Sequence, residues 1–454
     1  MRLNEKIKIL RQMLAQKSAP SSPKIFMKYI KGCNKKALLH SAQKYGTPQY
    51  VLDKKQLQER IQNFKETFRK CVPQSDFFYA FKCNDFPELL KTVKSEGFNA
   101  DVAGLFEIQL AKKLNFPAII YSSPGKTKEE LQYAVHEGII ISLDNLDEID
   151  LLISLKAKAR VSIRINFNTT NSWSKFGIRL PELKQVIRKL EKTELMLVGL
   201  HFHSSWNYDP TKYTYSIRKI GAFLKKNRGV ARQLQFLDMG GGFEPEGMAT
   251  LSKFSYRGEL LQLIEEYSGK KTGFNLHGFS LDEVDLLTTF ANRIGNALNI
   301  HIFNVNPAIR IWLEPGRYIA THSTTILVKV LAVKGDSVIV DGGINMVGDY
   351  RFDEYLFAPI LNISQPSANL KRKTVYGPLC DPSDVWGFFY FGKSIKKGDI
   401  LAVLHQGAYT FSCAWRFIKP IPRYIVIDGK KIYCGKEEEK FNERYAGTAI
   451  SGYI

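Results

Sequence analysis

Between Phe77 and Glu314, eight short apolar segments alternate with stretches of helical periodicity, and that alternation confines the chain to a parallel sheet covered by helices. The segments are Phe77–Phe81, Asn99–Val102, Ala118–Tyr121, Ile139–Leu143, Arg160–Asn166, Met196–His203, Gln235–Met239 and Ile311–Glu314. Eight such strands with helices between them predict a closed α/β barrel. Past Arg317 the pattern changes. Thr325–Val333, Ser337–Asp341, Asp399–His405 and Arg423–Ile427 are β-rich with turn residues between them, which predicts a second, all-β domain. A helical N-terminal extension is expected over 1–35, interrupted by the breaker Ser18-Ala19-Pro20-Ser21-Ser22-Pro23. The barrel is expected over 36–320 and the β domain over 321–454, with the strand-like Tyr50-Val51-Leu52-Asp53 open to joining the latter. The stretch Glu244–Phe290 is longer than a usual barrel link and is the part least determined by its pattern.

Length agrees with two domains, since 454 residues with 44% hydrophobic content exceed one core. Lysine and arginine number 65 against 44 acidic residues, a net charge of +21. The basic residues are spread along the chain, in short clusters such as Lys371-Arg372-Lys373, and no nucleic-acid motif accompanies them. A general lysine bias, or a field that gathers anionic small molecules, fits this distribution better. No apolar run approaches a membrane span, and Met1–Lys17 alternates charged with apolar residues, so the expected location is the cytoplasm. Cys33, Cys71, Cys83, Cys380, Cys413 and Cys434 have no CxxC spacing, as reduced thiols would.

The chemistry-bearing residues gather where strands end, which is where such a barrel holds its site. Lys82 closes an apolar strand; partial desolvation there would favour a neutral, nucleophilic amine, although most strand-end lysines only reach water. Gly240-Gly241-Gly242 follows another strand and offers bare N–H groups to a phosphate, or is only a tight turn. Glu314-Pro315-Gly316-Arg317 offers a carboxylate for a protonated ring nitrogen and a guanidinium for a phosphate, or is a surface ion pair. His201 and His203 could suggest a metal, but no third ligand lies near them in sequence, and a flat imidazole stacked on a cofactor ring competes with that use. Cys380-Asp381 places a thiol beside a carboxylate in a Gly-Pro loop, where a proton donor could work. Tyr409 follows a small-residue turn.

Taken together, Tyr79-Ala-Phe-Lys82-Cys-Asn, Asp101-Val-Ala-Gly-Leu-Phe-Glu107, Arg164-Ile-Asn, Ser174-Lys-Phe-Gly177, Gly199-Leu-His-Phe-His203, Gly240-Gly-Gly242-Phe, Glu314-Pro-Gly-Arg317, Tyr376-Gly-Pro-Leu-Cys380-Asp381 and Gly407-Ala-Tyr409 resemble the fold-type III amino-acid decarboxylases that use pyridoxal 5'-phosphate (PLP). That family includes ornithine, diaminopimelate and arginine decarboxylases, and the resemblance covers roughly 40–430 in the family's order. It implies an alanine-racemase-like (β/α)8 TIM barrel with a C-terminal β domain. Lys82 would carry PLP covalently and Glu314 would pair with its ring nitrogen. His203 would stack on the ring; Gly241, Gly242, Gly316, Arg317 and Tyr409 would hold the phosphate; Asp101 and Arg164 would complete the cofactor set. Cys380 would return the proton, and Asp381 would meet the distal end of the substrate. No metal is implied. The resemblance also implies a homodimer whose Cys-bearing loop reaches the neighbouring barrel.

Two departures concern the phosphate and the substrate. Where the family reads apolar-Gly-Ser after the stacking histidine, Ser204-Ser205-Trp206-Asn207 follows, so either Ser204 or Ser205 takes over or the loop is rebuilt. Asp381 is the ornithine-type choice, and Asp341–Pro359 lacks the Ile-Arg-Pro element of the diaminopimelate type; Arg351, Asp353 and Glu354 are candidate substrate contacts. The expected reaction is α-decarboxylation of an ornithine- or lysine-like amino acid, or of a conjugate such as a citryl-amino acid from a siderophore pathway. A diaminopimelate decarboxylase and a catalytically silent relative with a binding or regulatory role stand as alternatives.

Overall fold

A computed structural model describes residues 30–167, 171–205, 207, 209–245, 286–348 and 358–448. Two compact units divide the chain: Leu57–Glu244 with Val284–Ala320, and Met1–Gln56 with Pro245–Glu283 and Thr321–Ile454.

The first strand, β1 (Gln49–Asp53), belongs to the second of these units. The other unit is built on β2 (Ser75–Ala80), β3 (Asn99–Val102), β4 (Ile119–Ser122), β5 (Ile140–Leu143), β6 (Ala159–Asn166), β7 (Ile178–Arg179), β8 (Leu195–His201), β9 (Phe236–Asp238) and β10 (Arg310–Leu313). All pairs are parallel, in the order β5-β4-β3-β2-β10-β9-β8-β6, and β5 pairs with β6 to close the ring. The eight-stranded barrel is the one expected, and each strand overlaps the segment assigned to it. The short β7 lies outside the ring against the far end of β6.

The barrel closes around an apolar plug. Phe78, Ile120, Ile140, Val198, Phe236 and Trp312, from six different strands, form one buried cluster, with Phe236 stacked on Trp312 at 3.5 Å between ring centroids. Gly199 is required beneath it, because a Cβ there would lie 2.2 Å from the Phe236 ring. Side chains on a strand return to the same face every second residue. Moving two positions toward the C-terminal end from Phe236, Trp312 and Ile140 therefore gives Asp238, Glu314 and Ser142, all buried. Polar chemistry thus caps the plug at the end of the barrel where such folds keep their sites. Two helices between the strands start on side-chain caps, one a Thr127–Glu130 capping box and the other Asn145 accepting from Glu148 N.

In the β-rich unit, β11 (Thr324–Lys334), β12 (Ser337–Val340), β13 (Ile360–Asn362), β14 (Leu370–Tyr376), β15 (Val385–Phe391), β16 (Ile400–Val403), β17 (Arg423–Asp428) and β18 (Lys431–Lys436) join β1 in one sheet. Its order is β12-β14-β15-β13-β16-β11-β1-β17-β18. Strand β1 pairs antiparallel with β11 and parallel with β17. The helix Lys35–Tyr45 contributes Leu38 and Ala42 to a core with Val51, Leu327, Leu361, Phe391 and Ile425. Residues 36–56, counted above with the barrel, therefore group with the β-rich unit, because their backbone and apolar contacts are made there. The helical extension expected over 1–35 lies outside the described residues up to position 29, as does most of Glu244–Phe290.

Candidate active site

Lys82 sits in a single 3₁₀ turn, Phe81–Cys83, that follows β2, rather than within the strand. Its Nζ lies 2.6 Å from Asp101 Oδ2 at the end of β3, and the lysine side chain is 38% exposed against 0% for the aspartate. The neighbour of the amine is thus a buried carboxylate and not only an apolar wall, so the desolvation argument for Lys82 is incomplete: Asp101 favours the ammonium. Burial, then Glu314, pushes the Asp101 carboxyl up to about 6, with Lys82 pulling the other way.

His201, the last residue of β8, and His203, two residues beyond it, flank Glu314, which follows β10. His201 Nε2 lies 4.0 Å from Glu314 Oε1, and His203 Nδ1 lies 3.8 Å from Glu314 Oε2. These three side chains offer ligand atoms within 4.8 Å of one another, so the fold supplies in space the carboxylate that is missing nearby in sequence. Both imidazoles are nevertheless held neutral. Burial drives His201 well below its ordinary value, and burial with the charges of Arg164 and Lys82 brings His203 to about 3. The hydrogen bonds fix their orientation: Ser142 Oγ bonds His201 Nδ1 at 2.9 Å, and Gly241 N donates to His203 Nδ1 at 3.1 Å, which leaves His203 Nε2–H for Ser205 Oγ at 2.9 Å.

The glycine turn is a close-approach device. Gly240 and Gly242 have φ of +66° and +93°, and a Cβ would fall 2.6 Å from His203 Nδ1 in one case and 1.9 Å from Ser204 O in the other. Asn207 Nδ2 ties Ser204 O and Gly242 O together, and the Tyr213 hydroxyl donates to Gly241 O from the helix Thr211–Lys226. Tyr213 is a site support that the sequence did not reveal; it also stacks on Phe243 at 5.0 Å. Two N–H groups expected to face a phosphate are engaged here, Gly241 N with His203 and Gly316 N with Glu314 O at 2.9 Å. Arg317 Nε lies 3.4 Å from Glu244 Oε1, both side chains being buried.

Arg164, at the end of β6, reaches Asp144 Oδ1 at 3.2 Å, and Asp144 Oδ2 accepts from Gly177 N at 2.8 Å. Next to this pair lies a second amine that sequence reasoning missed. Lys126 Nζ is buried and donates to Ser123 O, Ser142 O and Glu148 Oε2 at 2.7, 2.8 and 2.9 Å. Nothing in the strand pattern marks it, because it lies in a loop after β4.

The β-rich unit carries the remaining candidates. Cys380 is exposed in the loop after β14. Asp381 Oδ1 accepts from Ser383 N and Ser383 Oγ, both at 2.8 Å, which holds its carboxyl below the usual range. The loop is braced by buried Asp384, which accepts from Ile344 N and Leu379 N at 2.8 Å. Tyr409 has φ +54° in a turn pinned by Gln406 N to Thr324 O and Gly407 N to Thr321 O. A non-glycine residue held left-handed by its surroundings is often one whose side chain is being aimed. Arg351, Asp353, Glu354 and Trp206 lie outside the described residues.

PLP carries a basic ring nitrogen, an aldehyde and a phosphate, and the barrel residues suit it. Among the described residues Asp101 Oδ1 is buried with no hydrogen-bond donor, and the buried Glu314 carboxyl acts on it electrostatically, an acceptor set that a cationic ring and its substituents would satisfy. A primary amine lies beside them, with neutral imidazoles to cover a ring face.

Comparison with known proteins agrees with this chemistry. Residues 54–321 match the family described as pyridoxal-dependent decarboxylase, pyridoxal binding domain. The diaminopimelate decarboxylase of Aquifex aeolicus is 26% identical over 91% of this chain and 94% of its own length. Human antizyme inhibitor 2 is 26% identical over 76% of this chain and 73% of its own. The crystal structure of diaminopimelate decarboxylase from Helicobacter pylori complexed with L-lysine superposes with a TM-score of 0.74 at 25% identity, covering 91% of this chain and 98% of that one. A barrel with this amine, this carboxylate and this match belongs to the pyridoxal-dependent decarboxylases, and the chain is a carboxy-lyase of that family with PLP as its cofactor.

Proposed function

We propose that the enzyme removes the α-carboxylate of an amino acid whose far end is cationic, with ornithine and lysine as the first candidates. The Lys82–Asp101 pair beside Glu314 at the polar end of the barrel carries the decarboxylase part of this reading, and Asp381 is the reason for choosing a cationic far end. Bound PLP supplies an electron sink for the bond to the departing carboxylate. The chain supplies the rest. Lys82 holds the cofactor, Glu314 accepts from its ring nitrogen, and neutral His203 covers one face. Gly242 and Arg317 would hold the phosphate, and the family resemblance assigns Gly241, Gly316 and Tyr409 to it as well. Ser205 Oγ accepts from His203 Nε2–H and keeps its own hydrogen to donate, so Ser205 or Ser204 can stand in for the family's hydroxyl. Arg164 acts through Asp144 rather than on the cofactor directly.

Cys380 delivers the proton and Asp381 meets the distal ammonium, both from a partner subunit in a homodimer. The exposure of the thiol, in a loop braced by Asp384, supports that use. Six free cysteines suit a reducing, cytoplasmic compartment. Diaminopimelate is the second reading, favoured by the name and near full-length coverage of the relatives. Lys82, Glu314 and Cys380 together support an active enzyme over a silent relative of the antizyme-inhibitor kind.

Carbon dioxide release from ornithine, lysine, diaminopimelate and citryl-ornithine at equal concentration tests the reading. The highest kcat/KM on ornithine or lysine is expected. A preference for diaminopimelate transfers the assignment to the second reading, and release from none of the three free amino acids rejects both.

A further inference from the structure

Asp238 ends β9 fully buried, with His201 opposite it on β8 and Trp312 opposite it on β10. Its Oδ1 accepts from Gly240 N at 2.9 Å, so the carboxyl group anchors the first residue of the glycine turn. Glu314 N in turn donates to Gly240 O at 2.9 Å, which brings two buried, inward-facing carboxyl groups to the same turn, each opposing the other's charge. Two carboxylates have only acceptors to offer each other, and accordingly neither Asp238 Oδ2 nor Glu314 Oε1 has a donor among the described residues. A single proton between them resolves this.

The surroundings say where the proton resides. Lys82 is committed to Asp101 and Arg164 to Asp144, while His201 and His203 are neutral. Among the described residues no cation forms an ion pair with Asp238. Burial first, then Glu314, drives the Asp238 carboxyl well above its ordinary value. We propose that Asp238 is a neutral carboxylic acid that donates its hydrogen to Glu314 while accepting from Gly240 N, a positioning residue that aims Glu314 at the cofactor's ring nitrogen and locks the glycine turn to the same point. This rests on the reading of Glu314 as the partner of that nitrogen.

The arrangement makes an unusual demand on mutagenesis. Asparagine reproduces both functions of the protonated acid, since Oδ1 can accept from Gly240 N and the amide can donate to Glu314. Holoenzyme of wild type, Asp238→Asn and Asp238→Ala is compared by apparent PLP affinity and by the 15N shift of PLP labelled at its ring nitrogen, with thermal melting to confirm folding. Asp238→Asn is expected to stay within about threefold of wild type and to keep the ring-nitrogen shift, whereas Asp238→Ala loses roughly tenfold or more in affinity and moves the shift, the size seen when an outer support of a site is removed. If Asp238→Ala does not fold, Asp238→Asn alone decides. Asn as damaging as Ala overturns the proposal, because a charge would then be needed; neither variant differing from wild type overturns it as well. Glu314→Ala separates the two levels: an unchanged ring-nitrogen shift in that variant refutes the reading of Glu314 itself, whatever Asp238 does.

Discussion

Lys82 Nζ and Asp101 Oδ2 lie 2.6 Å apart, with the aspartate fully buried and the lysine partly open to water. Removing the amine by Lys82→Ala strands the carboxylate. The fold already raises the Asp101 carboxyl to about 6, and without the lysine the folded value rises further. A carboxyl whose folded value exceeds its unfolded one costs stability as pH rises through it. Lys82→Ala is therefore expected to destabilise the apoenzyme by about 1–2 kcal/mol at pH 8, below the range for a fully buried pair because the lysine is partly exposed, and by clearly less at pH 5. Denaturant unfolding at the two pH values measures this.

Glu107 supplies a second pH signature. Its Oε2 accepts from Ala103 N at 2.6 Å, yet burial outweighs that bond and pushes the carboxyl up to about 7. The folded protein holds this proton between about pH 4.5 and 7, where the unfolded chain has lost it, so stability from this group falls across that window. Glu107→Gln keeps the acceptor and removes the titration. Its melting temperature should change less between pH 5 and 8 than that of wild type, and should exceed wild type at pH 8.

Glu244 occupies the guanidinium assigned to the phosphate, 3.4 Å from Arg317 Nε. A carboxylate there repels an incoming phosphate. Glu244→Gln is expected to bind PLP roughly tenfold more tightly, the size of a modest charge–charge repulsion near a protein surface. Equilibrium dialysis of the apoenzyme gives the value; weaker binding would mean that Glu244 serves to hold Arg317 in place.

Shared sites in a homodimer predict complementation. Lys82→Ala and Cys380→Ala homodimers should each be deeply impaired, with Cys380→Ala losing about 10²–10⁴-fold if the thiol delivers the proton. Mixing the chains and allowing exchange should restore up to about a quarter of wild-type activity per chain, since mixed dimers assemble one intact site. No recovery in verified mixed dimers argues that each chain completes its own site.

The barrel was legible because its strands are buried on both faces and so read as apolar runs, and because the site residues follow strand ends. The β-rich sheet was less so: β13, β14, β15 and β18 were not anticipated. Leu370–Tyr376 is largely exposed with three consecutive basic residues, so neither an apolar run nor alternation marks it. Lys82, His203 and Glu314 announced themselves through motif and position. Asp238, Tyr213 and Lys126 did not, because their importance lies in what they touch: the N–H that opens the glycine turn, a glycine carbonyl, and one loop and one strand carbonyl.

The central claim is a covalent bond between Lys82 and the cofactor aldehyde. Borohydride reduction of the PLP-loaded enzyme, followed by proteolysis and mass spectrometry, tests it directly. A reduced pyridoxyl-phosphate adduct on the peptide containing Lys82, absent in Lys82→Ala, is predicted. An adduct on Lys126 instead, or on no lysine, would contradict it.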